Sequence, residues 1–223
     1  MSNPLKKSEI VWGTAYAIFQ FFLLGMIALI LNLFLQLPEW QLQVGIFLLN
    51  FLVTLIIFRK FLLGSCKTAL QKPLRILGFT LLGFVHYYIG AILVGAVIMR
   101  VRPDYFNLND AAISQMAQES GIWMAVGAVL FVPVAEECIF RGLCFRAIYD
   151  RCPALAWIIS VGLFSVVHII GYIGLYDPVK LLLAFLQYLP AGISLAFAYK
   201  ESDTIVTPIL IHTSINLIGM LLQ

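Results

Sequence analysis

Three short patterns carry almost all the chemistry available in a chain crowded with apolar residues. In the first, Glu136-Glu137-Cys138-Ile139-Phe140-Arg141, two carboxylates stand side by side and a guanidinium follows four residues after the second. On a helix, Glu137 and Arg141 share a face and can pair, whereas Glu136 is turned about 100° away. One carboxylate is therefore structural and the other available. The second and third patterns are Phe164-x-x-x-His168 and His212-x-x-x-Asn216. A spacing of four puts His212 and Asn216 on one face, where they can address the same ligand or transition state. A carboxylate removed from bulk water suits a general base at neutral pH. An imidazole and an amide preset at a developing oxyanion can stabilise it by several kcal/mol.

The elements that hold these residues follow from composition. Of 223 residues, 62% are hydrophobic and 11% charged. That leaves too thin a polar skin for a soluble domain. Long unbroken apolar runs exclude disorder and a transmembrane β-barrel. The fold class is all-α, a polytopic helical membrane bundle with about seven to eight transmembrane helices. Seven spans of about twenty residues are drawn at 10–36, 42–63, 76–99, 121–148, 154–175, 179–199 and 204–222. Asn109 to Ser120 reads as a short interfacial helix. Residues 1–120 form N-terminal membrane helices with that interfacial helix, and residues 121–223 a core carrying the three patterns. With the N-terminus inside, ten Lys and Arg lie on the cytoplasmic side and three, Arg100, Arg102 and Lys180, on the other. Arg141 remains inside a span.

Charge inside a span costs at least about 2.5–3.5 kcal/mol, so such residues mark function by default. From the expected cytoplasmic ends, Glu136 lies about 19 Å deep, His168 about 21 Å and His212 about 12 Å. The bland reading of the glutamates is an ion-paired packing device. His86 has no polar companion in the sequence and reads as a packing residue. Gly192-Ile193-Ser194-Leu195-Ala196 has the outline of a serine-nucleophile turn, with His212 as its imaginable base, but that spacing is common in apolar helices. The four cysteines, Cys66, Cys138, Cys144 and Cys152, read as free thiols. No Lys/Arg-rich tract with interleaved aromatics supports nucleic-acid binding. A proton-coupled transporter would also use buried Glu, His and Arg, although one cluster and no repeat of spans speak against it. A non-catalytic membrane partner would typically lose a motif residue.

The order Glu-Glu-x-x-x-Arg, Phe-x-x-x-His, His-x-x-x-Asn on successive apolar helices resembles the family of CAAX prenyl proteases and bacteriocin-processing enzymes. The resemblance covers Gly121 to the end. It implies an intramembrane endopeptidase acting on a hydrophobic or membrane-associated peptide, in CAAX-type processing or in bacteriocin maturation and self-immunity. It also implies that Glu136 activates water with help from His168. Glu137 with Arg141 would hold the motif in shape, and His212 and Asn216 would stabilise the oxyanion. The family usually has about eight spans and a site open to the cytosol, so the active site is expected to be reached from the cytoplasmic side. Metal-free chemistry is favoured, with zinc as the alternative, since two histidines and a glutamate are also a zinc-hydrolase ligand set. The expected partners are a peptide or protein substrate and the lipid bilayer.

Overall fold

The computed structural model of the chain describes residues 3–222, the Leu108 side chain excepted. Nine helices are present among the described residues: α1 Lys7–Leu35, α2 Glu39–Ile57, α3 Arg59–Gln71, α4 Pro73–Val101, α5 Leu108–Ser120, α6 Ile122–Tyr149, α7 Pro153–Val167, α8 Pro178–Ser202 and α9 Val206–Leu221. Helices α1, α2, α4, α6 and α8 are long and apolar enough to cross a membrane. Helices α7 and α9 are equally apolar but have only 15 and 16 residues. The seven apolar helices coincide with the seven expected spans, and the chain is an integral multi-pass membrane protein.

Two spans end earlier than expected, for local reasons. The fifth stops at Val167 instead of 175: the backbone leaves helical geometry at Ile169 (φ −120°), and Gly174 at φ +90° bars any continuation to 175. A short 3₁₀ turn at Ile170–Tyr172 lies between. The second span stops at Ile57 because Phe58 leaves helical geometry. The backbone N–H of Phe61 in the next turn donates to the Glu9 carboxylate of α1 (2.9 Å). A carboxylate at a helix N-terminus satisfies an orphan donor and the helix dipole together. Residues 64–71, expected as a connection, therefore continue α3. The short helix expected at Asn109 to Ser120 appears at Leu108–Ser120, started by Asn107, whose side chain accepts from the N–H groups of Asn109 and Asp110. Asp177 starts α8 in the same way. The Lys180 N–H bond chiefly holds the Asp177 carboxyl below the usual carboxylate range.

Burial divides the bundle. The most apolar stretches of α1, α2 and α4 are only 11% buried, against 50% for α6 and α8, so the first three face outward and α6 and α8 form the interior. Helix α8 lies along α4 and α7, and α9 closes against α4 and α8, with α6 between α2, α7 and α9. One apolar cluster joins Phe58, Phe61, Phe145, Tyr199 and Ile205, and another joins Phe140, Phe164, Leu195 and Ile211. All four cysteines are free thiols. Helix α6 is not a uniform α-helix. Its turns widen to π geometry at Gly127–Phe131 and again at Cys138–Arg146.

Helices α7 and α8 touch most closely at Gly192, where an added Cβ would lie 3.0 Å from the Val161 side chain and 3.4 Å from its carbonyl. Gly192→Val should therefore overpack this crossing and cost about 1–3 kcal/mol, read as a lower midpoint of thermal unfolding in detergent.

Candidate active site

The two carboxylates of α6 have different fates, and the helix phase decides them. Glu137 is fully buried and Glu136 keeps 20% of its side chain exposed. Arg141, one turn on from Glu137, is also fully buried, with its Nε 3.2 Å from Glu137 Oε2. Its Nη2 donates to the Gly192 carbonyl (3.0 Å), and its guanidinium stacks over the Phe164 ring at 4.6 Å. Removing two charges from water costs several kcal/mol per ion unless their remaining hydrogen-bonding positions are filled. The Gly192 carbonyl, the aromatic face and the opposed carboxylate offset part of that cost, while Nη1 of Arg141 has no hydrogen-bond partner among the described residues.

Glu137 has a second partner. Its Oε1 accepts from His212 Nδ1 at 2.9 Å. A carboxylate oxygen only accepts here, so Nδ1 carries the hydrogen and the lone pair of the neutral ring is on Nε2. His168 is set the same way by a different device. It is the residue that ends α7, where the last carbonyls have no helical donor. Its own Nδ1 donates to the Phe164 carbonyl (2.7 Å). The two Nε2 atoms then lie 3.9 Å (His168) and 4.0 Å (His212) from Glu136 Oε2. These distances exceed a direct hydrogen bond but allow one water to touch both groups. Glu136 Oε2 is itself buried and has no hydrogen-bond partner among the described residues.

The same three donors are of the kinds that bind zinc. Ligands on a tetrahedral zinc stand about 3.4 Å apart at bond lengths of about 2.0–2.2 Å. The two glutamate–imidazole distances exceed that by about half an ångström. As they stand, no group of three His, Cys, Asp or Glu among the described residues has metal-binding geometry.

Asn216 is placed differently from the other motif residues. Its side-chain amide donates to the Ala128 carbonyl at 2.8 Å. The reason lies in the widened turn of α6. Within it, the Val132 N–H bonds back five residues to the Gly127 carbonyl, so the next carbonyl, that of Ala128, falls in register with residue 133. Residue 133 is Pro, which has no N–H. Asn216 supplies the missing donor from α9. Any oxyanion contact by Asn216 therefore rests on its second amide hydrogen. His86 does have a companion: its Nδ1 lies 2.9 Å from Ser194 Oγ, a bond between α4 and α8. Ser194 is thus occupied by His86 and not by His212.

Motif reasoning missed Tyr188. Its ring stacks on His168 with centroids 4.2 Å apart. Its hydroxyl donates to Asp110 and accepts from the side-chain amides of Asn107 and Asn109, tying α5 to α8 behind the imidazole. A cavity of about 400 Å³ beside it is lined by Tyr105, Asn107, Asp110 and Gln187 among others. The only sequence signal was the polar run Asn107–Asp110 in an apolar chain.

Fold and site together define a multi-pass membrane protein with a Glu/His centre in its interior. Residues 118–218 match the family model described as type II CAAX prenyl endopeptidase Rce1-like. The matched part is a little less than half of the chain and contains all six motif residues. Among its relatives, YdiL of Bacillus subtilis (strain 168), which carries the name of a proposed membrane peptidase, is 30% identical over 116 residues, 52% of this chain and 43% of that protein. The UPF0177 protein YbdJ of Lactococcus lactis subsp. lactis (strain IL1403) is 35% identical over 92 residues, 40% of this chain and 35% of that protein. The chain's match spans less than half the length of either relative. No solved structure matches it.

The geometry separates two kinds of support. Arg141→Ala strands Glu137 and should cost about 3–5 kcal/mol. Asn216→Leu leaves the Ala128 carbonyl unsatisfied and should cost about 1–3 kcal/mol. Thermal unfolding of both purified variants beside the parent checks the order.

Proposed function

We propose that the chain is an intramembrane endopeptidase in which Glu136 activates water against a peptide carbonyl. The observation that carries this reading is the unpartnered Glu136 Oε2 with the two Nε2 atoms at 3.9 and 4.0 Å. A water held there gives its proton to Glu136 while its oxygen bonds to the carbonyl carbon. The proton then passes to the amide nitrogen as the C–N bond breaks, which returns Glu136 to its starting state. His168 orients the water. His212, held by Glu137 through its Nδ1–H, would donate to the oxyanion from Nε2 where that atom carries a proton. Glu137 and Arg141 hold His212 and take no part in bond making. Where a zinc ion is bound, Glu136, His168 and His212 would hold it, and it would supply Lewis-acid polarisation of the carbonyl.

The family match supports a membrane peptidase of CAAX type. The substrate is then a peptide that reaches the bilayer, and the room beside Tyr188 supports a polar segment next to His168. CAAX-type tails and bacteriocin-type precursors are the two classes the resemblance implies. The excess of Lys and Arg at one end supports a cytoplasmic N-terminus, while the room beside Tyr188 lies at the opposite end, near the Arg102–Asp177 pair.

Glu136→Gln keeps the shape and removes the base. It should lower cleavage by at least about 10²-fold while the protein inserts and elutes normally. Mass spectrometry of peptides in cells carrying the parent or the variant reads both the loss and the substrate class. Near-normal product from the variant would overturn the mechanism. Metal content is a separate measurement. Purified parent should hold zinc well below one equivalent by elemental analysis. One tightly held zinc, lost in His168→Ala or His212→Ala and kept in Asn216→Leu, would give the catalysis to the metal.

A further inference from the structure

A second polar centre lies far along the chain from the motifs, where the N-terminal segment meets the corner between α2 and α3. Uncharged or fully used contacts pin that segment down. The Asn3 side-chain amide donates to the Phe61 carbonyl (2.8 Å) and to Ser65 Oγ (3.0 Å). Both oxygens of Glu9 are engaged by backbone N–H groups, Oε1 by Phe61 and Oε2 by Lys6. These pins carry Lys6 against Lys60, in the first turn of α3 and outside the candidate spans. Lys6 foremost, and then Arg59, hold the Lys60 ammonium below the usual lysine range. Among the described residues no carboxylate lies within ion-pair distance of Lys6, Lys7, Arg59 or Lys60. Three cations, Lys6, Arg59 and Lys60, are thus gathered beside Glu9, whose two oxygens are both committed.

The cations border a cavity of about 400 Å³ with two unlike walls. Ser8, Glu9, Arg59 and Lys60 are its polar lining residues, and Trp12, Ile56 and Ile57 its apolar ones, with both Glu9 oxygens already held by backbone N–H groups. Trp12 is 65% and Ile56 72% exposed, and both belong to membrane-crossing helices. An anion with an apolar tail satisfies both walls, whereas a free anion leaves the apolar one uncovered.

We propose that this cavity binds the headgroup phosphate of an anionic phospholipid, with Lys6, Arg59 and Lys60 as its counter-charges and an acyl chain along Trp12 and Ile56. The site is independent of Glu136 and does not rest on the proposed peptidase activity. Basic residues between membrane helices at a headgroup level attract anionic lipid by about fivefold in affinity for each Lys or Arg.

Trp12 makes the test direct. The full chain, with Trp40, Trp123 and Trp157 changed to Phe, is placed in phosphatidylcholine nanodiscs containing brominated phosphatidylglycerol or brominated phosphatidylcholine. Trp12 fluorescence should be half-quenched at a roughly tenfold lower mole fraction of the brominated phosphatidylglycerol. Lys6→Gln with Lys60→Gln should bring the two curves within about twofold. Lys67→Gln with Lys72→Gln makes the same change in net charge elsewhere on α3 and its end, and should leave the preference intact. Equal quenching by both lipids in the parent would overturn the proposal, as would an unchanged preference in the Lys6/Lys60 variant. An equal loss in the Lys67/Lys72 variant would reduce it to bulk charge. Relief of the quenching by millimolar inorganic phosphate would assign the cavity to a free anion instead. The comparison of the two lipids on the parent chain decides even if a variant fails to fold.

Discussion

The burial of one ion pair organises the interior of this protein. Glu137 and Arg141 have no exposed side-chain surface, and a pair in that state depends on its neighbours to offset the loss of water. Those neighbours come from three other helices: Phe164 of α7, the Gly192 carbonyl of α8 and His212 of α9. The pair therefore fixes how α6, α7, α8 and α9 sit against one another. It also sorts the two adjacent glutamates. Because Glu137 is consumed inside, Glu136 is left facing the two ring nitrogens.

Proline chemistry adds a second constraint on the same helix. Pro133 has no N–H, and the widened turn before it moves the resulting gap onto the Ala128 carbonyl. Asn216 closes that gap from α9. The motif asparagine thus serves the backbone of the helix that carries the glutamates. Its spacing from His212 has a structural reason as well as a chemical one.

Much of this was legible in the sequence because charge in an apolar chain is conspicuous. Glu136, Glu137, Arg141, His168 and His212 announced themselves by residue type, and their four-residue spacings correctly gave the shared faces. The pairing of Glu137 with Arg141 and the turning away of Glu136 follow from helix phase alone. Contacts between distant segments were not legible. Nothing in the spacing of Ser194 points to His86, 108 residues earlier, or in Tyr188 to Asp110. Helix ends were also misjudged where an apolar run continues past the last turn. Hydropathy does not register the positive φ of Gly174 or the capping of α3 by Glu9.

The three side chains of the Glu/His centre are anchored unequally. Glu136 and His212 project from the middle of helices, where bonds on both sides hold the backbone. His168 stands at the last turn of α7, fastened by its own bond to the Phe164 carbonyl and by the Tyr188 ring. Beyond it the chain runs through a 3₁₀ turn and two glycines before α8 begins. The centre is thus a vise with two fixed jaws and one hinged jaw. Its gap can widen by moving the end of one short helix, while the buried ions that hold the bundle together stay where they are.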